Sequence, residues 1–313
     1  MIDQLAGLVV RAQSGFLTVA SEAGEYTCRL RGRLKQGGND GDIAAVGDRV
    51  TITPHDDGTG TIDEIHPRKS VFSRIRTGIK RDFRQILLAN PDQIVGVFAC
   101  AQPEPHLRML DRFLVIAEKQ GVDALIVANK IDLVAKQKAE VVFKVYVELG
   151  YPVLYTSAHT GEGVDLLKEA LQDKISAFAG PSGVGKSSLL NAIQPDLGLH
   201  VRTVSEATSK GRHTTHVREL FPLDVGGYVA DTPGIRSLAL WDTEPEELDA
   251  YFIEMRDRVS GCKFSDCTHT HEPGCAIRTA VEQGEIALDR YHSYLRLRFE
   301  DEGSEFMGEL DSG

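Results

Sequence analysis

A chain of 313 residues is longer than one hydrophobic core usually serves, so two or three units are expected. Its 42% hydrophobic and 26% charged residues are ordinary for soluble protein, and no apolar run approaches the roughly 20 residues of a spanning helix, which excludes a membrane protein. The formal charge of -11 excludes a generally basic nucleic-acid binder and confines any RNA contact to local patches.

The first dozen residues carry Asp3 and no basic segment leading into a long apolar stretch, so no secretory signal is expected and the protein is placed in the cytoplasm. Over residues 1–70, short runs of alternating apolar and polar positions (7–20, 26–34, 48–53) are separated by Gly/Asp/Asn clusters at 37–42 and 56–60. Five short strands in that length close best as an OB-type β-barrel, a fold that often binds nucleic acid, although a barrel used only to dock protein remains open. Residues 68–84 then hold seven basic side chains against one acid, Asp82, with Phe72 and Phe83 interleaved. Such a stretch is either a solvated face or a set of phosphate contacts; Lys210, Arg212, Arg218, Arg290, Arg296 and Arg298 are further candidates for the latter.

From about residue 90 to 240 the texture changes to continuous apolar strands (94–99, 124–128, 153–156, 175–179, 228–230) followed by helical patterns, as a parallel sheet covered on both faces requires. The unit 71–240 is therefore expected to be α/β, with ligands at the carboxyl ends of its strands. Asn129-Lys130-Ile131-Asp132 follows one strand and resembles the NKxD guanine-specificity motif. A carboxylate at Asp132 accepts both the ring N1–H and the exocyclic amine of guanine, a donor pair adenine lacks. Asn129 and Lys130 would support the loop and cover the base. Thr156-Ser157-Ala158, after the next strand, resembles the second base-contacting loop.

Gly180-Pro181-Ser182-Gly183-Val184-Gly185-Lys186-Ser187 fits the phosphate loop GxxxxGK[ST], placed between a strand and a helical run that opens at Ser188. Its glycines let successive N–H groups face phosphate oxygens, with the helix dipole behind them. Lys186 is assigned to the β/γ-phosphates and Ser187 to Mg²⁺. Gly211-Arg212-His213-Thr214-Thr215-His216 sits where a GTPase keeps its first switch, and Thr214 or Thr215 would complete the Mg²⁺ shell. Asp231-Thr232-Pro233-Gly234 resembles DxxG, in which Asp231 reaches Mg²⁺ through water and the Gly234 amide senses the γ-phosphate. Ile235 stands where a Ras-like GTPase has the Gln that orients water. Slow intrinsic hydrolysis is expected, with His213 the candidate for that task.

The motif order, NKxD first and DxxG last, is rotated relative to most GTPases, so the domain reads as circularly permuted, with Asp231 to Gly234 leading straight into residues 241–313. That last unit is expected to be mainly helical (246–257, 276–283, 287–299). Cys262, Cys267 and Cys275, with His269 or His271, make a Cys₃His set suited to tetrahedral, structural Zn²⁺; Cys28 and Cys100 read as ordinary buried residues. The tail 300–311 holds six acids and no base and reads as solvated.

A permuted GTPase with a β-barrel before it and a Cys₃His module after it resembles the RsgA (YjeQ/YloQ) family of GTPases over nearly the whole chain. The matching positions are Asn129 to Asp132, Gly180 to Ser188, Gly211 to Thr215, Asp231 to Gly234 with hydrophobic Ile235, and the cysteine set. The spacing of that family favours His269 as the fourth ligand. The resemblance implies a bacterial cytoplasmic enzyme, expected as a monomer, that binds the maturing small ribosomal subunit and its rRNA, hydrolyses GTP to GDP with Mg²⁺, and is stimulated by the ribosome. A nucleotide-switched RNA-binding scaffold is the competing class; intact Lys186, Ser187 and Asp231 favour the enzyme.

Overall fold

The structure is a computed structural model that describes residues 4–35, 43–76, 83–197, 218–230 and 244–299. At the N-terminus, β1 (Leu5–Gln13), β2 (Phe16–Ser21), β3 (Gly24–Leu30), β4 (Arg49–Pro54) and β5 (Thr59–Ile65) pair in the order β1-β2-β3-β5-β4, and β4 returns to β1 to close a barrel. Only the β3–β5 pairing is parallel. Alternation turns Val9, Leu17, Val19, Cys28, Val50, Ile52 and Ile62 inward as its core. The single run expected over 7–20 is two strands. Ser14 and Gly15 take φ of 51° and 82°, and positive φ at both central residues is what a tight type I′ hairpin turn needs.

A two-stranded antiparallel hairpin, β6 (Val71–Arg76) and β7 (Phe83–Ala89), follows the barrel. It carries much of the basic stretch, but two members proposed for RNA are occupied otherwise. Phe72 is 1% exposed and packed in the main core. Arg68 grips buried Asp48 with Nε and Nη2 at 2.6 and 2.7 Å and donates to the Ile43 carbonyl. At the junction Gly47 has a φ of +90°, and a β-carbon there would lie 1.9 Å from the Ala89 carbonyl oxygen. Only glycine lets the barrel turn meet the end of β7 this closely.

The central unit contains β8 (Gln93–Ala99), α1 (Leu107–Gln120), β9 (Asp123–Asn129), α2 (Lys136–Glu148), β10 (Val153–Thr156), α3 (Val164–Leu171), β11 (Ile175–Ala179), α4 (Lys186–Ile193), β12 (Arg218–Glu219), β13 (Phe221–Pro222) and β14 (Tyr228–Ala230). Six of the strands form a sheet in the order β10-β9-β8-β11-β14-β13, parallel except for the edge strand β13. Every residue of β8 and β11 is buried, as strands covered by helices on both faces must be. β12 leaves this sheet and pairs with β1 of the barrel, and the Leu220 N–H donates to the Val10 carbonyl. The segment that follows the first-switch motif is thus stitched to the barrel wall.

After residue 243 the chain forms α5 (Leu248–Tyr251), α6 (Ile253–Arg256), α7 (Ala276–Glu282) and α8 (Leu288–Phe299). The single helix expected over 246–257 is broken at Phe252, whose ψ of 103° is extended. The break lets the ring sit fully buried, edge-on to Tyr294 and under the Arg290 guanidinium at 4.5 Å. Arg290 is 2% exposed, so it is not available to RNA phosphates. It donates to Asp111 of α1 at 2.5 Å and to Glu254 of α6 at 2.7 and 3.1 Å, while the Tyr146 hydroxyl of α2 donates to the same Asp111. Burial works against the guanidinium charge, but the two carboxylates outweigh it and hold the group firmly protonated. Arg298 is buried too, donating to the Pro245 carbonyl and to Tyr294. Arg290→Ala would strand Asp111 and Glu254 without a counter-charge, a loss of roughly 3–5 kcal/mol readable as a lowered urea midpoint. An unchanged midpoint would show that the cluster holds nothing together. Among the described residues, no helix is long and apolar enough to cross a membrane.

Candidate nucleotide site and metal centre

β8, β9, β10 and β11 run parallel, so their carboxyl ends and the loops after them lie on one edge of the sheet. Gly180, the first residue past β11, has a φ of +144°, and a β-carbon there would lie 2.1 Å from the Val97 carbonyl oxygen. Gly185 has a φ of +92° immediately before α4, where a β-carbon would lie 2.6 Å from the Asn129 side-chain nitrogen. These two positions explain the glycines of the motif: one clears the neighbouring strand and the other clears the base loop. Lys186 opens α4, and its ammonium donates to the carbonyls of Gly180 and Pro181 at 2.8 Å each, which holds it across the loop. Ser187 and Ser188 stand on the first turn of α4, half-buried, beside exposed Ser182.

Asn129 ties three loops together. It is 1% exposed; its amide nitrogen donates to the Val184 carbonyl at 2.9 Å, and its oxygen accepts from the Thr156 hydroxyl at 3.1 Å and the Ala158 N–H at 3.3 Å. Lys130, in the left-handed region at a φ of 64°, donates to the carbonyls of Gly183, at 2.7 Å, and Gln102. Asp132 is exposed, with one carboxylate oxygen fixed by the Ser157 hydroxyl at 2.5 Å. Ser157 is itself fully buried, and its Oγ accepts from the backbone N–H groups of His159 and Thr160. The predicted base loop, second base loop and phosphate loop therefore converge. Spacing alone gave no hint that Ser157 aims Asp132.

β14 pairs in parallel with β11, Ala230 opposite Ala177, so β14 ends beside the phosphate-loop strand. Asp231, Gly234, Ile235, His213, Thr214, Thr215, Lys210 and Arg212 lie outside the described residues.

The cysteine set forms a second centre. The ligand atoms of Cys262, Cys267, His269 and Cys275 all lie within 4.8 Å of one another, and the cysteines are unbridged. Tetrahedral zinc with Zn–S near 2.3 Å and Zn–N near 2.05 Å places sulfurs about 3.8 Å apart and sulfur and nitrogen about 3.6 Å apart. The observed Sγ–Sγ distance between Cys262 and Cys275 is 3.9 Å, and His269 Nδ1 lies 3.6 and 3.3 Å from those two sulfurs. The donor set thus fits zinc. His269 is fully buried whereas His271 is exposed and engages the Thr270 hydroxyl, so the histidine grouped with the three sulfurs is His269. Burial pushes the Cys267 thiol up to about 12 and the Cys275 thiol upward, a cost a divalent cation reverses by stabilising thiolates.

Sequence reasoning missed the supports of this centre. Asp249 on α5 accepts from His269 Nε2 at 3.0 Å, which fixes the tautomer that leaves Nδ1 facing the sulfurs. Glu272 accepts from the Thr268 hydroxyl and from the Thr268, Thr270 and His271 N–H groups; burial raises its carboxyl, yet these bonds bring it down to about 2. Tyr291 and Tyr294 of α8 donate to the carbonyls of His269 and Thr268. A carboxylate twenty residues from its histidine carries no spacing signal.

The family model described as RsgA GTPase matches residues 65–241, and that of the RsgA N-terminal domain matches residues 6–62. The small ribosomal subunit biogenesis GTPase RsgA of Gemmatimonas aurantiaca is 48% identical over 304 residues, covering 96% of this chain and 98% of the relative. Its counterpart in Moorella thermoacetica is 45% identical over 93% of this chain and 95% of its own length. Among solved structures, YjeQ from Thermotoga maritima superposes with a TM-score of 0.78 at 40% identity, covering 97% of this chain and 100% of that one. YloQ, described as a circularly permuted GTPase, gives 0.74 at 34% identity and 97% coverage of each chain. Likeness at this level runs far beyond any single motif and takes in the barrel as well as the catalytic unit: the chain belongs to the RsgA GTPase family.

Proposed function

We propose that this protein is a cytoplasmic GTPase that acts as a monomer in biogenesis of the small ribosomal subunit, binding the subunit and its rRNA and turning over GTP faster when bound. The observation that carries the nucleotide reading is the bonding around Asn129, which fastens the base loop, its neighbour and the phosphate loop into one rigid edge. The names borne by relatives covering over nine-tenths of the chain support the ribosomal assignment.

In this reading the units divide at 70 and 240. Backbone N–H groups from Gly180 to Ser188 hold the phosphates, and Lys186 shifts its ammonium from loop carbonyls to β/γ oxygens. Asp132, aimed by Ser157, accepts the two guanine donors, with Asn129 and Lys130 bracing it and Thr156 to Ala158 closing the base side. Ser187, Thr215 and, through water, Asp231 would hold Mg²⁺, which when bound neutralises charge on the phosphates. The Gly234 amide reads the γ-phosphate. Ile235 offers no hydrogen bond to water, so His213 takes that task, and unchanged subunit-stimulated turnover in His213→Ala would remove it. Cys262, Cys267, His269 and Cys275 bind a structural Zn²⁺. With Arg68, Phe72, Arg290 and Arg298 committed inside the protein, RNA contact falls to the remaining cations of the β6–β7 hairpin and to Lys210, Arg212, Arg218 and Arg296.

Asp132→Asn replaces one acceptor of the guanine pair with a donor. GTP affinity should fall about 100-fold or more, and xanthosine triphosphate, which carries an oxygen in place of the exocyclic amine, should bind better than GTP. Titration of a fluorescent nucleotide checks this; retained preference for GTP would show that another group reads the base. GTP turnover measured with and without purified small subunits tests the functional assignment itself.

A further inference from the structure

A groove of about 300 Å³ runs where α1, α2 and α8 meet, and none of its lining residues belongs to the nucleotide loops or the zinc cluster. Its α2 wall is apolar, made by Val141, Val142 and Val145. Val141 is 72% exposed, a poor place for a branched hydrocarbon unless something covers it. The α1 and α8 walls contribute Arg108, Arg296 and His292 with Asp289, and the other carboxylate, Asp111, is already held by Arg290 and Tyr146. Ser293 lines the same groove. It is 5% exposed, and its buried hydroxyl meets no partner among the described residues, so a donor or acceptor entering there would relieve an unsatisfied group.

We propose that this groove is the docking site of the chain's own acidic C-terminal segment, residues 300–313. That segment starts directly after Phe299, the last residue of α8, and α8 is itself one wall of the groove. Fourteen residues can span up to roughly 45 Å when extended, while Ser293 lies only about 9 Å back along the helix axis, so reach is ample even after a reversal at Gly303. Its composition complements the walls. Six acids and no base complement the charge of Arg108, Arg296 and His292, while Phe306, Met307 and Leu310 supply apolar side chains to match the valines of α2. Once seated, the segment bridges α2 of the GTPase unit and α8 of the zinc unit, beside the Arg290 cluster that joins the same helices.

The test places the photo-crosslinker p-benzoylphenylalanine at position 306 of the full chain. Irradiation should give intramolecular products mapping to residues 136–148 or 289–296, and Val141→Glu combined with Arg296→Glu should lower their yield about tenfold. Both substituted positions reach solvent, and circular dichroism checks that the variant stays folded. In parallel, deleting residues 300–313 should raise amide exchange in α2 with no added partner. Products scattered over the surface, products joining two copies, a yield indifferent to the double substitution, or α2 exchange unchanged by the deletion would each overturn the proposal.

Discussion

Lys186→Ala should leave the melting behaviour of the protein intact and lower GTP turnover by roughly 10²–10³-fold, the usual cost of removing one preorganised group aimed at transition-state charge. The fold is spared because the ammonium is half-buried and the loop carbonyls it bonds, Gly180 and Pro181, can be satisfied by water in its place. Those bonds also explain why lysine suits the position. Without phosphate the cation is held over the loop by its own backbone, so nucleotide entry exchanges partners and needs no rearrangement of α4. Malachite-green phosphate release from wild type and variant, with melting curves for both, provides the comparison. A variant that retains full turnover would show that the phosphates lie elsewhere.

Cys275→Ser should have the larger effect on stability. Cys275 is buried in a core shared with Cys267, Phe252, Met255, Ile277, Tyr294 and Val115 of α1, and its sulfur also accepts from the Arg278 N–H to cap α7. Serine lowers the metal affinity and leaves a hydroxyl among apolar groups. Structural zinc contributes about 10 kcal/mol or more in small modules, so the expected result is less than stoichiometric zinc and loss of the cooperative unfolding of residues 244–299. Because Val115 belongs to the GTPase unit and Arg290 ties α8 to α1, damage should extend into that unit and lower its melting temperature too. Elemental analysis and a thermal melt measure both. Full zinc content in the variant would remove Cys275 from the ligand set.

Much of this was legible in the sequence because the chemistry is local. A phosphate loop needs glycine where a β-carbon would strike β8 or Asn129, and those needs are written at Gly180 and Gly185. Strands as nearly apolar as β8 and β11 announce a sheet covered on both faces. The failures share a cause, which is that long-range partners leave no spacing. Nothing near Arg290 in the chain reveals Asp111, 179 residues away, so a buried ion pair read as a surface cation. Phe72 looked like an aromatic among basic residues because the core it enters is built later in the chain. Asp249 and Ser157 orient His269 and Asp132 across intervals no motif records. The turn at Ser14 and Gly15 was readable and was missed because the apolar alternation runs through it without a break.

The most direct test of the account is GTP turnover by the purified protein with and without small ribosomal subunits, with Lys186→Ala as the blank. The expected results are slow turnover alone, a rise of at least about tenfold on adding subunits, equivalent to roughly 1.4 kcal/mol off the barrier, and neither signal in the variant. Slow turnover that subunits leave unchanged would contradict the account and leave a guanine-nucleotide switch acting on some other partner.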